Sequence, residues 1–134
     1  MNLKENPITK KLILTSLQGT FSIIQIDPAK GIPEWAQKSE FFSITQTNDE
    51  LSIVCEDTNI PDNINREKKW RVLKIEGLFN FDEIGILNSI TTPLAQANIS
   101  LLAISTFNTD YILIQESHFA EVVDILINEG HEVR

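Results

Sequence analysis

The order in which strand-like and helix-like patterns follow one another in residues 70–133 restricts the fold more than any other feature of this sequence. Residues 70–75 alternate between apolar and polar side chains, and residues 99–105 and 111–115 are further strand-like runs. A last short strand is predicted at residues 131–133. Two helices are predicted from apolar residues that recur at helical spacing. The first, after residues 70–75, has these residues at Ile86, Leu87, Ile90, Leu94 and Ala97. The second, after residues 111–115, has them at Phe119, Val122, Val123, Leu126 and Ile127.

Residues typical of helix ends support this interpretation. Asp82 suits the N-cap of the first helix, because its carboxylate can accept hydrogen bonds from the free amides there. Asn98 closes that helix, and Gly130 suits the C′ position after the second helix. Pro93 lies inside the first helix, where it removes one backbone hydrogen bond and predicts a bend. The predicted order is strand, helix, strand, strand, helix, strand.

This order is that of a ferredoxin-like unit. Residues 1–66 contain four strand-like runs but only a short helical pattern around Pro33, and we interpret them as a degenerate copy of the same unit. We place the boundary near residue 66, which gives a first unit of residues 1–66 and a second unit of residues 67–134. The predicted fold class is α+β, with two ferredoxin-like (βαββαβ) units in tandem. We expect antiparallel sheets with helices on one face, and a first unit that is degenerate or permuted.

The degenerate first copy lacks an obvious fourth strand. Gly19 suits a tight turn between two apolar runs at residues 12–16 and 20–26. A hairpin of these two runs would place residues 12–16 where the fourth strand is missing. We therefore predict a permuted first unit in which residues 12–16 pair with residues 20–26.

The start of the helix in the second unit is a candidate ligand site. Residues 81–86 combine a potential N-cap with a glycine at position 85. Free amides at a helix N-terminus attract anions such as a carboxylate, and Gly85 allows a ligand to approach the backbone closely. The alternative is a capped helix whose glycine serves tight packing against the sheet, and the residues alone favour this alternative.

A polar break between two apolar strands, residues 105–110, is the second candidate. Ser, Thr, Asn and Asp are the usual residues of a hairpin loop, so a purely structural role is a strong alternative. The loop is richer in donors and acceptors than a turn requires, and Phe107 is a large apolar residue within it. Whether this loop and the helix start lie at the same end of the sheet stays open; if they do not, a bipartite site would need a second chain.

Composition excludes several classes of function. The 134 residues carry a net charge of −8 without a basic stripe, which argues against nucleic-acid binding. No stretch approaches ~20 apolar residues, and the N-terminus lacks the apolar core of a signal peptide, so we expect a cytoplasmic protein that does not span a membrane. We find no catalytic set, metal site or cofactor motif. His118 and His131 are interpreted as surface or capping groups, and Cys55 as a small buried hydrophobe.

With these motifs in hand, the sequence resembles tandem ACT-domain proteins. It is most similar to small bacterial relatives of the ACT halves of aspartate kinases and of the CASTOR-type arginine sensors of animals. The resemblance covers nearly the whole chain, and its second-half motif is the specific part. The residues that carry it are 70–77, 82–87, 93–95, 99–113 and 130–133, with 32–35 and 50–55 in the first half.

The resemblance implies non-catalytic sensing of a free amino acid at an interface between ACT units. The positions that match the sensors' ligand pocket are Glu83, Gly85, Ile86, Thr106, Phe107 and Asp110. The backbone of Gly85 and Ile86 is expected to meet the ligand's main-chain groups, and Glu83 and Asp110 a cationic group.

The same resemblance implies a homodimer, because the sensors hold four ACT units in one chain and this sequence holds two. The alternative function is a structural or interaction module that dimerises or docks on a partner enzyme without a small ligand. Either way we expect a protein that is not an enzyme and needs no cofactor.

Overall fold

The computed structural model describes residues 11–77 and 85–134, which form two compact units. The N-terminal unit is Gln18–Arg71, and the C-terminal unit combines residues 11–17 with Val72–Arg134. Eight strands and two α-helices lie within the described residues: β1 (Ile13–Ser16), β2 (Phe21–Ile26), β3 (Ser43–Gln46), β4 (Leu51–Glu56), β5 (Glu67–Ile75), α1 (Asn88–Gln96), β6 (Leu101–Ser105), β7 (Asp110–Gln115), α2 (Phe119–Asn128) and β8 (Glu132–Val133). The predicted α+β class is confirmed.

The N-terminal unit is a ferredoxin-like unit whose helices are reduced. Its strands lie in the order β5, β2, β4, β3, which is the order fourth, first, third, second of a ferredoxin-like sheet. Three short 3-10 helices stand where α-helices would be expected, at Pro28–Lys30, Glu34–Gln37 and Asp57–Asn59. The fourth strand is not missing, because the first half of β5 supplies it: Phe21 pairs with Trp70 and Ile23 with Glu67.

The prediction that residues 12–16 form a hairpin with residues 20–26 is wrong. Gly19 does adopt a positive φ of 86°, but β1 pairs antiparallel with β5 and parallel with β8. Leu14 is the residue opposite both Ile75 and Val133. The physical reason is burial, since Leu12 and Leu14 belong to the hydrophobic core of the C-terminal unit. The first unit is degenerate but is not permuted in the predicted way.

The C-terminal unit is a ferredoxin-like unit with one extra strand. Its strands lie in the order β6, β7, β5, β1, β8, so β1 is inserted between the first and fourth strands of the βαββαβ pattern. The two helices and the sheet share one hydrophobic core, whose fully buried members include Leu14, Leu73, Ile75, Ile90, Leu94, Ile112, Ile114, Val122 and Leu126. No helix among the described residues has the length and apolar character needed to cross a bilayer.

The helix ends within the described residues agree with the sequence. In this part of the chain α1 spans Asn88–Gln96, and Leu87 before it makes no side-chain cap. The predicted N-cap, Asp82, lies outside the described residues. Pro93 lies inside α1, and Asn98 closes it with a φ of 60°. Gly130, with a φ of 95°, follows α2 as predicted, and His131 N–H donates to the Leu126 carbonyl at 3.0 Å.

A strained lysine marks the point where β5 pairs with β2. The register shifts between Phe21 and Ile23, and Lys69 opposite them has a φ of 70°. The left-handed conformation costs an L-residue roughly 1–2 kcal/mol, and glycine avoids this cost but loses about 0.5–1 kcal/mol in chain entropy. We therefore expect Lys69→Gly to raise the free energy of unfolding by up to ~1 kcal/mol, measured by urea denaturation. Lys74→Gly, in the same strand without positive φ, is the control and is expected to destabilise; equal destabilisation by both would contradict the prediction.

Cys55 is inert in the folded protein. It is fully buried in the core of the N-terminal unit, and burial, followed by the nearby Asp57 carboxylate, raises the pKa of its thiol to about 11. At pH 8 about one thiol in a thousand is then the reactive thiolate. We expect an aromatic disulfide reagent to label Cys55 only as fast as the unit unfolds, and at once in denaturant. Immediate release of one equivalent of chromophore by the native protein would contradict this.

Candidate functional site

The loop between β6 and β7 is a hairpin held by its own threonines. Ser105 pairs with Asp110, and Thr106 N–H donates to the Thr109 carbonyl at 2.7 Å. The Thr106 hydroxyl also donates to that carbonyl at 3.0 Å and accepts from Thr109 N–H at 3.3 Å. Phe107 and Asn108 are left at the tip, as expected for residues that such a turn projects away from the sheet. The polar break is a hairpin loop, as its composition predicted.

Thr109 ties this hairpin to the end of β5. Its side chain is buried, and its hydroxyl donates to the Ile75 carbonyl at 2.5 Å. Ile75 is the last residue of β5, and the chain runs on from there through residues 76–84 to Gly85 at the start of α1. The hairpin therefore lies at the end of the sheet from which the chain leaves for α1, which answers the question that the sequence left open.

The start of α1 offers backbone groups rather than side chains. Gly85 has a φ of 85°, a conformation that favours glycine, and its carbonyl accepts from Ser89 N–H at 3.0 Å. The side chain of Ile86 is buried in the core, and its carbonyl accepts from the Ser89 hydroxyl at 2.7 Å. Ile86 therefore contributes to any site here through its main chain.

The three hairpin residues of the predicted site differ in exposure. Phe107 is 81% exposed, the largest exposure of any large hydrophobic residue that the structure describes. Thr106 is exposed but engaged in the turn, and Asp110 is half-buried with Oδ1 accepting from the Ser105 hydroxyl. Glu83 lies outside the described residues. The structure thus groups Thr106, Phe107 and Asp110 on one hairpin and Gly85 and Ile86 at the start of α1.

Sequence reasoning missed Thr109 as a positioning residue. The only signal was a second threonine three positions after Thr106, which a turn does not need. The neighbouring carboxylate of Glu76 was also missed. A hydrogen bond from Thr15 and, more weakly, the charge of Lys74 at 3.6 Å lower the pKa of Glu76, so it is a stable negative charge beside the end of β5.

The two parts of the predicted site offer different groups. The hairpin presents an aromatic ring and a carboxylate, whereas at the start of α1 the Gly85 and Ile86 carbonyls accept hydrogen bonds from Ser89. Within residues 11–77 and 85–134, no group of three or more His, Cys, Asp or Glu residues has the arrangement of a metal site.

The chain thus consists of two ferredoxin-like α+β units, and the second unit carries a polar hairpin anchored by Thr109. We compared the chain with known proteins. The family model described as ACT domain matches residues 65–128. A second model, described as an N-terminal domain, matches residues 19–63. The chain belongs to the ACT-domain family. Our division of the sequence at residue 66 stays a proposal. The two matched ranges meet near that residue, whereas the compact units of the structure place residues 11–17 in the C-terminal unit and residues 67–71 in the N-terminal unit.

Relatives with solved structures share the fold over most of the chain. An Agrobacterium tumefaciens protein is 36% identical with a TM-score of 0.88, and the match covers 93% of each chain. The aspartate kinase of Clostridium acetobutylicum is 17% identical with a TM-score of 0.63, and the match covers 87% of this chain and 33% of that one. This second likeness shows the fold alone.

A third similarity is stronger in sequence but shorter. The human cytosolic arginine sensor for mTORC1 subunit 1 is 45% identical over 58 residues, which is 42% of this chain. The mouse protein of the same description is 47% identical over the same length. The match spans only 18% of the length of these relatives.

Proposed function

We propose that this chain is a non-catalytic regulatory module that binds a free amino acid at the hairpin end of its C-terminal unit. The observation that carries the proposal is the buried Thr109 hydroxyl bonded to the Ile75 carbonyl. This bond fixes the hairpin that bears Thr106, Phe107 and Asp110 at the end of β5. A binding site needs this kind of support, because its polar groups must be held in place by hydrogen bonds from surrounding residues.

Each proposed contact follows from the chemistry of a free amino acid. The ligand's α-carboxylate meets the main chain at Gly85 and Ile86, where helix amides favour negative charge. Asp110 holds a cationic group, and Glu83 is the second proposed acidic partner. Phe107 covers the apolar part of the ligand. Arginine is the first ligand to test, because its guanidinium forms paired hydrogen bonds with a carboxylate and because the matched relatives are described as arginine sensors.

A second copy of the chain is proposed to complete the site. Phe107 is 81% exposed, and a large apolar side chain at the tip of a hairpin gains stability when a partner covers it. A symmetric homodimer would bring two such hairpins into equivalent contacts. The bound amino acid then lies between ACT units of two chains, and its binding changes how tightly they associate.

Isothermal titration with arginine and then with each other amino acid tests the proposal. We expect one saturable site per chain for at least one of them, and an increase in dimer mass at low protein concentration when that amino acid is added. A folded protein that gives no binding heat with any of the twenty would overturn the proposal.

A second candidate function is an interaction module without a small ligand. The edge strand β6 favours it, because β6 contains no charged residue and Leu102 is 42% exposed. Uncharged edge strands readily add a further strand from another chain. This candidate would be supported if the protein dimerised stably or bound an enzyme and gave no binding heat with any amino acid.

A further inference from the structure

The N-terminal unit contains a cavity that is separate from the hairpin site. It has a volume of about 350 Å³ and opens beside the end of β2 and the two 3-10 helices that follow. Its size suits a small-molecule ligand, for which pockets of ~300–1,000 Å³ are usual. All residues that line it lie within Gln18–Arg71.

The floor of the cavity is apolar and anchored. Ile26, Trp35 and Ile64 line it, and all three pack against the buried core of the N-terminal unit. Pro33 adds a further rigid apolar surface next to Trp35. Because these side chains are only half-buried, each presents one face to the core and has another available to a ligand.

The segment of residues 63–65, which forms one wall of the cavity and contributes Ile64 to its floor, is held in place by an arginine. The Arg66 guanidinium donates to the Ile64 carbonyl at 3.1 Å and to the carbonyl of Pro61. The wall is therefore braced before any ligand arrives, which lowers the conformational entropy lost on binding.

The rim carries opposite charges on one short turn. Asp27 and Lys30 both line the cavity, at the start and end of the first 3-10 helix. Asp27 Oδ1 accepts from Ala29 N–H at 3.0 Å, which orients its carboxylate. Among residues 11–77 and 85–134, neither side chain forms an ion pair. Gln25, Asn63 and Asn65 add carboxamide groups around the same opening.

We propose that this cavity binds a second free amino acid, one with an aromatic or large apolar side chain. The side chain packs on the face of Trp35, as aromatic rings do in offset-stacked pairs. Lys30 holds the α-carboxylate and Asp27 the α-ammonium, so the two charges of the zwitterion meet the two charges of the rim. A nucleotide is excluded on charge, because one lysine beside Asp27 in a chain of net charge −8 does not offset its phosphates.

This inference does not rest on the proposed function, and the two sites have different chemistry. The hairpin site combines main-chain amides with carboxylates, whereas this cavity combines an indole floor with one charge of each sign. The helices of the N-terminal unit are reduced to 3-10 turns. In this proposal the unit still binds a ligand, in the cavity that these turns line.

The two tryptophans of the chain provide the test, because each gives its own indole N–H signal in a ¹⁵N-correlated NMR spectrum. Trp35 lines the cavity, whereas Trp70 is 7% exposed and lies outside it. We expect titration with L-phenylalanine to shift the Trp35 signal in a saturable way and to leave the Trp70 signal unchanged. Lys30→Met and Asp27→Asn should each weaken this binding about fivefold, the size expected for a partly solvated charge pair.

Two controls separate this site from the hairpin site. Lys38→Met removes an exposed lysine outside the cavity and should leave the phenylalanine affinity unchanged. Asp110→Asn should also leave it unchanged, so that loss of arginine binding and loss of phenylalanine binding are read independently. The proposal is overturned if phenylalanine, tyrosine, tryptophan and leucine all fail to shift Trp35, if both rim variants bind as wild type does, or if adenosine shifts Trp35 while the amino acids do not.

Discussion

Leu14→Ala is expected to lower the free energy of unfolding by roughly 2–5 kcal/mol, with the loss concentrated in the C-terminal unit. Leu14 is fully buried, and its side chain belongs to the same core as Ile90 of α1 and Leu126 of α2. Truncation removes apolar contacts and leaves a cavity that a closely packed core fills only in part. The measurement is urea denaturation combined with native-state hydrogen exchange.

Hydrogen exchange identifies which unit has lost stability. We expect faster exchange of the β7 and α2 amides in Leu14→Ala and unchanged protection of β4, which lies in the N-terminal unit. Ile13→Ala, one position away and outside that core, is the matched control and should cost about 1 kcal/mol or less. Loss of protection in β2 and β4 instead would support the hairpin that the sequence suggested and contradict the observed topology.

The elements of the C-terminal unit were predictable because their signals are local. Alternation and helical spacing depend on neighbouring residues, and Asn98 and Gly130 end their helices through φ values that few residues adopt easily. The N-cap predicted at Asp82 falls outside the described residues, and α1 is described from Asn88 onward.

The position of β1 was not predictable from local pattern. Its alternation predicts a strand with one buried face, but nothing within a few residues specifies which strands it joins. Its partners lie far along the chain: Leu12 N–H donates at 3.2 Å to Nδ1 of His131, a separation of 119 residues. That contact also explains why His131, interpreted from the sequence as a surface or capping group, is 7% exposed.

The sequence did not predict that β5 pairs with β2 through its first half and with β1 through its second half. Residues 67–69 are all charged, and the alternating pattern that predicts the strand begins only at Trp70. In the structure β5 begins at Glu67, and the positive φ of Lys69 lies where the register of its pairing with β2 shifts. A charged bulge of this kind has no periodic signature, and the fourth strand of the N-terminal unit was missed with it.

At the candidate site, the sequence located the polar residues but not their support. Residue type alone predicted a hairpin loop at residues 105–110, and the structure confirms it. The bond from Thr109 to the Ile75 carbonyl spans 34 residues and depends on the order of β5 and β7 in the sheet. Only that order makes the hairpin and the end of β5 neighbours.

Asp110→Asn is expected to weaken arginine binding by roughly 2–5 kcal/mol, or about 30- to 4,000-fold, the usual effect of removing one partner of a desolvated, hydrogen-bonded charge pair. Asparagine keeps the shape of the side chain and an oxygen that can accept from the Ser105 hydroxyl, so the hairpin should persist. The variant loses only the negative charge. Its affinity is measured by isothermal titration, and its fold by the urea midpoint.

Two further variants decide whether such a loss comes from Asp110 itself. Asp124→Asn removes an exposed carboxylate on α2 and should bind arginine as wild type does, which controls for the overall change in charge. Thr109→Val removes the hydrogen bond to the Ile75 carbonyl but keeps the Asp110 carboxylate. It should weaken arginine binding less than Asp110→Asn does, because it loosens the hairpin without removing its negative charge. Equal arginine affinity in wild type and Asp110→Asn would show that Asp110 is not part of the site. If only Thr109→Val weakened arginine binding, the hairpin would contribute to the site through its conformation and not through its charge.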